Sequence, residues 1–200
     1  MDPDTIYVAS LSDMHPIEDV LDFWFGHPPG SRRKAWFVKS ALFDESIRTR
    51  FLTLHNAAAG GEFAAWTGTP RGALALIVLS DQFPRNLFRG SGRAFATDPI
   101  ALATAKHVVD KGWDTGLLPV ERMFVYLPFE HSEVLAEQDR SCALFAPLNA
   151  FPETSDAVEF SEKHRAIIRR FGRFPHRNAA LGRQSTAEET EFLTQPGSGF

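Results

Sequence analysis

The chemistry-bearing residues of this chain fall into three short stretches. The first is Asp81, Gln82, Arg85, Asn86 and Arg89, which follow directly on seven consecutive apolar residues, Ala73–Leu79. A carboxylate at the C-terminal end of a buried helix meets the negative end of the helix dipole at a cost of roughly 0.3–1 kcal/mol, and burial adds to it. Asp81 therefore needs a cation, and Arg85, Arg89 and Arg177 are the candidates. Two outcomes stay open: a buried Asp–Arg pair that locks helix ends together, or an Asp that orients an Arg for an anionic ligand.

The second stretch is Glu130-His131-Ser132-Glu133, just after Pro128. At a helix start both glutamates would complement the positive dipole end. His131 between them would have its imidazolium favoured, a general acid or base near neutral pH, with Glu130 and Glu133 as partners. The third is Lys163–Arg183, with seven Lys and Arg residues, His164, His176 and no acidic residue. Arg173 and Arg177 are the cations expected to turn inward with Arg85 and Arg89, whereas Lys163 and Arg170 suit solvent. His164 lies on an apolar stripe, where a hydrogen-bonded core histidine is the simpler expectation.

An internal echo links the first and third stretches. Phe83-Pro84-Arg85-Asn86 is matched by Phe174-Pro175-His176-Arg177-Asn178, each followed by Gly, Arg and Ser. Two copies of one helix-end device facing each other would explain it.

Other chemistries lack their residues. There is no His-x-x-x-His pair, no Glu-x-x-His pair of the kind helical di-metal sites use, no Gly-rich phosphate loop and no nucleophile signature, so neither a metal nor a cofactor is expected. The single cysteine, Cys142, excludes an internal disulfide and reads as a buried thiol. A net charge of -4 gives no general attraction to nucleic acid. No apolar run reaches the roughly 20 residues of a membrane helix and no signal peptide is legible, so a cytoplasmic protein is expected.

These residues must be carried by helices. Apolar positions recur at helical spacing throughout: Ile17, Val20, Leu21, Trp24 and Phe25 after Pro16; Ile47, Phe51, Leu54 and Ala58 after an N-cap at Asp44; Phe160, His164, Ile167, Ile168 and Phe171 before Gly172. Pro70 opens the central helix through Leu79, with Asp81–Arg89 as the lip of a site. Thr97 caps a helix to Asp110. Pro119 opens another that Pro128 interrupts, a helix through Phe145 follows, and Thr186 with Glu189 announces the last as a capping box. No stretch alternates as a half-buried strand does. With 44% hydrophobic and 23% charged residues, the 200-residue chain reads as one all-α domain of antiparallel helices, a bundle or a tetratricopeptide-like stack, with loose termini at 1–14 and 195–200.

The segments Leu74–Asp98, Tyr126–Glu133 and Arg170–Thr186, with Trp36-Phe37 and Phe43-Asp44 in the same order, resemble the bacterial family called domain of unknown function 924, over about residues 17 to 193. The resemblance implies a compact, tetratricopeptide-like helical fold and supplies no activity. Its motif positions fall on Asp81, Gln82, Pro84, Arg85, Asn86, Glu130, His131, Glu133, His164, Arg173, Pro175, His176, Arg177 and Asn178. Ser40 departs from it, since the family often has Asp there.

Two functions are therefore expected in competition. In one, Arg85, Arg89, Arg173 and Arg177 hold a small anionic metabolite, Asp81, Asn86 and Asn178 orient them, and His131 with Glu130 or Glu133 does acid–base chemistry. In the other, the polar motifs are inter-helix locks and the protein binds a peptide or protein partner in a groove lined by Trp24, Trp36 or Trp66. Oligomeric state is not legible in the sequence.

Overall fold

A computed structural model describes residues 16–199, so the expectation for residues 1–14 lies outside the described part. Nine α-helices carry it: α1 Pro16–Phe25, α2 Ala41–Ala59, α3 Pro70–Ile77, α4 Phe83–Leu87, α5 Asp98–Asp110, α6 Pro119–Glu130, α7 Leu135–Phe145, α8 Ala157–Phe171 and α9 Ala187–Leu193. Short 3-10 turns join several of them, and no strand occurs among the described residues. The all-α class follows from the 3.6-residue spacing of the apolar side chains.

Helix α3 is the axis. Gly72 to Leu79 are all buried, because helices α1, α5 and α6 and the turn Ala64–Gly68 surround it. A helix apolar on every side needs such enclosure. Thr69 caps it, accepting from the Gly72 amide, with Pro70 in the first turn. Gly72 is required at this spot, since a Cβ there would lie 2.4 Å from the Trp66 carbonyl oxygen.

An aromatic cluster supports the other end of α3. Trp24 meets Phe83 and Phe124 edge-on at 5.6 and 5.4 Å, and Phe51 packs on Phe83 at 4.9 Å. Trp24 is 1% exposed, so it lines no surface groove; Trp36 and Trp66 are half-buried.

Four local expectations are corrected. Helix α2 begins three residues before Asp44, at Ala41, and its N-cap is Ser40, which accepts from the Phe43 amide. Serine and aspartate are comparable caps, which accounts for the departure at that position. Thr97 makes no cap hydrogen bond; its hydroxyl donates to the Ser80 carbonyl at 2.6 Å instead. Pro128 does not interrupt α6, which continues to Glu130. Phe160 is 42% exposed, so the inward stripe of α8 is Ala157, Ser161, His164, Ile167 and Ile168. Beyond α9 the Ser198 amide donates to the Gln195 carbonyl and its hydroxyl to the Leu193 carbonyl, and Gly199 backs onto His176.

Candidate functional site

The core helix does not end at Leu79. It widens into a π-helical turn over Val78–Gln82 and continues as α4. Pro84 is the cause. It has no N–H to donate to the Ser80 carbonyl, and its ring would strike that carbonyl in a regular helix. The wide turn tips three carbonyls outward, and each receives a side-chain donor: His55 Nδ1 on Leu79 at 2.9 Å, the Thr97 hydroxyl on Ser80, and Arg85 on Asp81. Asp81 is thus held inside a continuous helix, not at a helix end, and is fully buried rather than part of a lip.

Around Asp81 the chain gathers charged side chains from several elements. Its Oδ1 accepts from His131 Nδ1 at 2.8 Å and lies 3.3 Å from Arg85 Nη1, while the Gln82 amide donates to Oδ2. Arg85 also grips Asp98, at 3.0 and 3.2 Å. Asp98 in turn receives Arg177 Nη1 at 3.4 Å. The Arg177 guanidinium is sandwiched between the Phe95 and Phe174 rings, 4.6 and 4.5 Å from their centroids, and Arg85 lies 5.7 Å from Phe95. The two echoed arginines therefore meet at one carboxylate and one aromatic ring. Their flanking loops touch as well: a Cβ on Gly92 would lie 3.0 Å from the Ala180 carbonyl oxygen.

Behind His131 sits a second histidine–carboxyl pair. His164 Nδ1 faces the Phe160 carbonyl at 2.8 Å and Glu130 Oε1 at 3.2 Å, and its ring is 6.2 Å from that of His131. A carbonyl can only accept, so Nδ1 of His164 carries its proton. Glu133 closes the edge of the cluster, accepting from the Phe174 amide at 2.8 Å and from Arg183 at 2.7 and 2.9 Å. His176 stacks obliquely on Phe174 at 5.5 Å.

Burial sets the protonation states. It pushes the Asp81 carboxyl up, but Arg85 and His131 outweigh it and hold the group at about 2. Burial, then the Asp81 charge, pushes Glu130 well above the usual carboxylate range, which favours its neutral form. This corrects its reading as a helix-start residue: it ends α6, where the dipole also disfavours a negative charge. Burial and then Arg85 lower His131, so its imidazolium is disfavoured, contrary to the expectation from its neighbours in sequence. Burial and then His131 bring His164 to about 3; burial and then Arg177 bring His176 to about 4. Arg177 falls to about 10 through burial and the nearby Arg85.

Because burial favours the neutral form of Glu130, its amide analogue suits the same place. Glu130→Gln is expected to unfold at a temperature equal to or above that of the native protein at pH 8, with the advantage shrinking toward pH 4.5, where the native acid is protonated in both states. A large loss of stability in thermal melts at pH 8 would show that Glu130 is needed as an anion.

Four expected site residues lie elsewhere. Asn86 and Arg89 both donate to Asp44, on α2. Arg173 grips Glu189 at 2.6 and 2.7 Å, and Asn178 donates to Ser185 and Glu189, so both tie α9 down. Lys163 and Arg170 pair with Glu159 and Glu188 at the surface. Conversely, Asp98, Phe95 and His55 carry no site signal of their own in the sequence. Asp98 reads as part of a Thr-Asp-Pro helix start, and only its place opposite two arginines reveals more. Among the described residues no group of three or more His, Cys, Asp or Glu could hold a metal ion, and no helix is long and apolar enough to cross a membrane.

The fold and site define an all-helical protein with a mixed Asp–Arg–His–Glu cluster buried between helices. The chain belongs to the family described as Bacterial protein of unknown function (DUF924), whose model matches residues 20–197. It is also similar to the solved structure of a protein of unknown function, ATU0120 from Agrobacterium tumefaciens. The two share 42% identity and a TM-score of 0.80 over 88% of this chain and 96% of that one. No curated protein matches the chain in sequence.

Proposed function

We propose that this protein binds a small anionic metabolite at Arg85 and Arg177, with His131 beside it for acid–base chemistry. One observation carries the reading. Arg177 is 6% exposed, yet its Nε is buried without a partner, and its hydrogen bond to Asp98 is long because Arg85 already holds that carboxylate. The unused donor costs about 1–3 kcal/mol in the free protein, which a ligand oxygen reaching it would recover. Access is through the edges of the cluster: the side chains of His131, Arg85 and Asp98 are 14%, 20% and 21% exposed.

The test is a thermal-shift screen of phosphorylated and carboxylated metabolites on the native protein and on Arg177→Ala. A ligand at 100 times its Kd stabilises by about 2.7 kcal/mol. At least one compound is expected to raise the native Tm and to lose that effect in the variant. No stabilisation by any compound, or an equal response in Arg177→Ala, would end the proposal. A cytoplasmic setting belongs to the same reading, in keeping with the single buried thiol of Cys142.

A second reading, a protein-interaction module, rests on a different place. Phe37, Val38 and Leu42 are 54%, 47% and 83% exposed beside a surface depression of about 460 Å³. No polar motif lines it, so it leaves the cluster unexplained.

A further inference from the structure

The anion reading leaves open what His131 is for, and the hydrogen bonds around it narrow the answer. Asp81 is an ionised acceptor, so the proton of His131 lies on Nδ1, and Nε2 presents a lone pair. Nε2 makes no hydrogen bond among the described residues, nor is it one of the buried unpartnered atoms, so it lies on the part of the ring that reaches the surface. Arg177 offers the complementary want: a buried N–H with nothing to bond. The cluster therefore shows a ligand one unmet acceptor and one unmet donor.

Charge and space narrow the ligand further. Two arginines face two carboxylates, Asp81 and Asp98, so a single added negative charge is tolerated better than the two of a phosphate monoester. The exposed edges are small, which suits a ligand of few atoms.

We infer that the cluster recognises a small hydroxycarboxylate, its carboxylate on Arg177 and its hydroxyl donating to His131 Nε2, with Asp81 as the residue that positions His131 by fixing its tautomer. The inference rests on the anion-binding proposal and deepens it. Arg85, held by Asp81 and Asp98, adds its charge to the anion site. His131 reads the hydroxyl as an acceptor only while Asp81 is an acceptor itself.

Glycolate and acetate test this, since they differ by one hydroxyl and neither is chiral. In isothermal titrations of the native protein, glycolate is expected to bind about tenfold more tightly than acetate, the usual effect of leaving a site's hydrogen-bonding group unmatched. Nitrogen NMR of the native protein is expected to place the His131 proton on Nδ1. In Asp81→Ala nothing accepts the Nδ1 proton, so the proton is free to move to Nε2 and the glycolate preference over acetate is expected to fall. Equal binding of the two acids, a native Nε2–H tautomer, or a preference retained in full in Asp81→Ala overturns the inference and leaves anion binding standing. Binding of neither acid, with no response to any anion in the thermal-shift screen, overturns both. The first two measurements need only the native protein, so a variant that does not fold removes neither.

Discussion

Asp81→Ala is expected to be the most destabilising single substitution in the polar cluster, by about 3–5 kcal/mol, the range for removing one partner of a buried ion pair. The magnitude follows from what is left behind. Arg85 keeps Asp98 but loses its fully buried partner, His131 loses the acceptor of its Nδ1 proton, and Gln82 loses an acceptor as well. For a chain of 200 residues each kcal/mol lowers Tm by about 2–4 °C, so a drop on the order of 10 °C is expected in calorimetry. Asp44→Ala, which breaks the more exposed pair with Arg89, serves as the comparison and is expected to cost far less. Equal losses would show that the buried network contributes no more than a surface pair.

Acid sensitivity is the second large expected effect. His164 and His176 are held by burial at about 3 and about 4, against 6.5 in an open chain. Below pH 6.5 the unfolded chain binds protons at these two sites that the folded protein refuses. Stability is therefore lost as pH falls from 6.5 toward the folded values. By pH 4.5 the two together withdraw on the order of 5 kcal/mol, about 1.4 for each pH unit and site. Asp81, held at about 2, adds to the loss only below its ordinary 3.8. Glu130 acts in the opposite sense, since its raised value means stability is lost as pH rises above 4.5. Urea midpoints of Glu130→Gln, which removes that opposing group, are expected to fall steeply from pH 7.5 down to pH 4.5. A flat profile would mean that the histidines are more solvated than their packing implies.

The fold was legible because helices announce themselves locally. The stripe Val20, Leu21, Trp24, Phe25 in α1 and the Thr186–Glu189 capping box need no knowledge of the rest of the chain. The echo of Phe83-Pro84-Arg85 and Phe174-Pro175-His176-Arg177 also carried real spatial information, for the two arginines do face each other across Asp98. Pairing among charges was not legible. Arg89 and Arg173 have the same residue type and similar spacing as Arg85 and Arg177, yet they turn to Asp44 and Glu189 because those acids come closest once the helices pack. Protonation was misread for the same reason. Glu130 and His131 are adjacent in sequence, but burial, with Asp81 for the first and Arg85 for the second, decides their charge. The direction of the helix past Leu79 was hidden too, since a proline after an apolar run signals a stop far more often than a widened turn.

That widened turn makes the central helix intolerant of changes in length rather than of changes in composition. It holds one residue more than a regular turn, and every side chain after it is aimed by that extra residue. With a single residue lost between Val78 and Gln82, Pro84 still forbids a regular turn, so the wide turn re-forms with the chain one residue short and α4 turns by roughly 100° about its axis. Arg85 would then swing away from Asp81 and Asp98 while Asn86 and Arg89 left Asp44 together. Viable variation in this region is accordingly confined to exchanges of one side chain for another, and a one-residue deletion there disconnects both halves of the polar network at once.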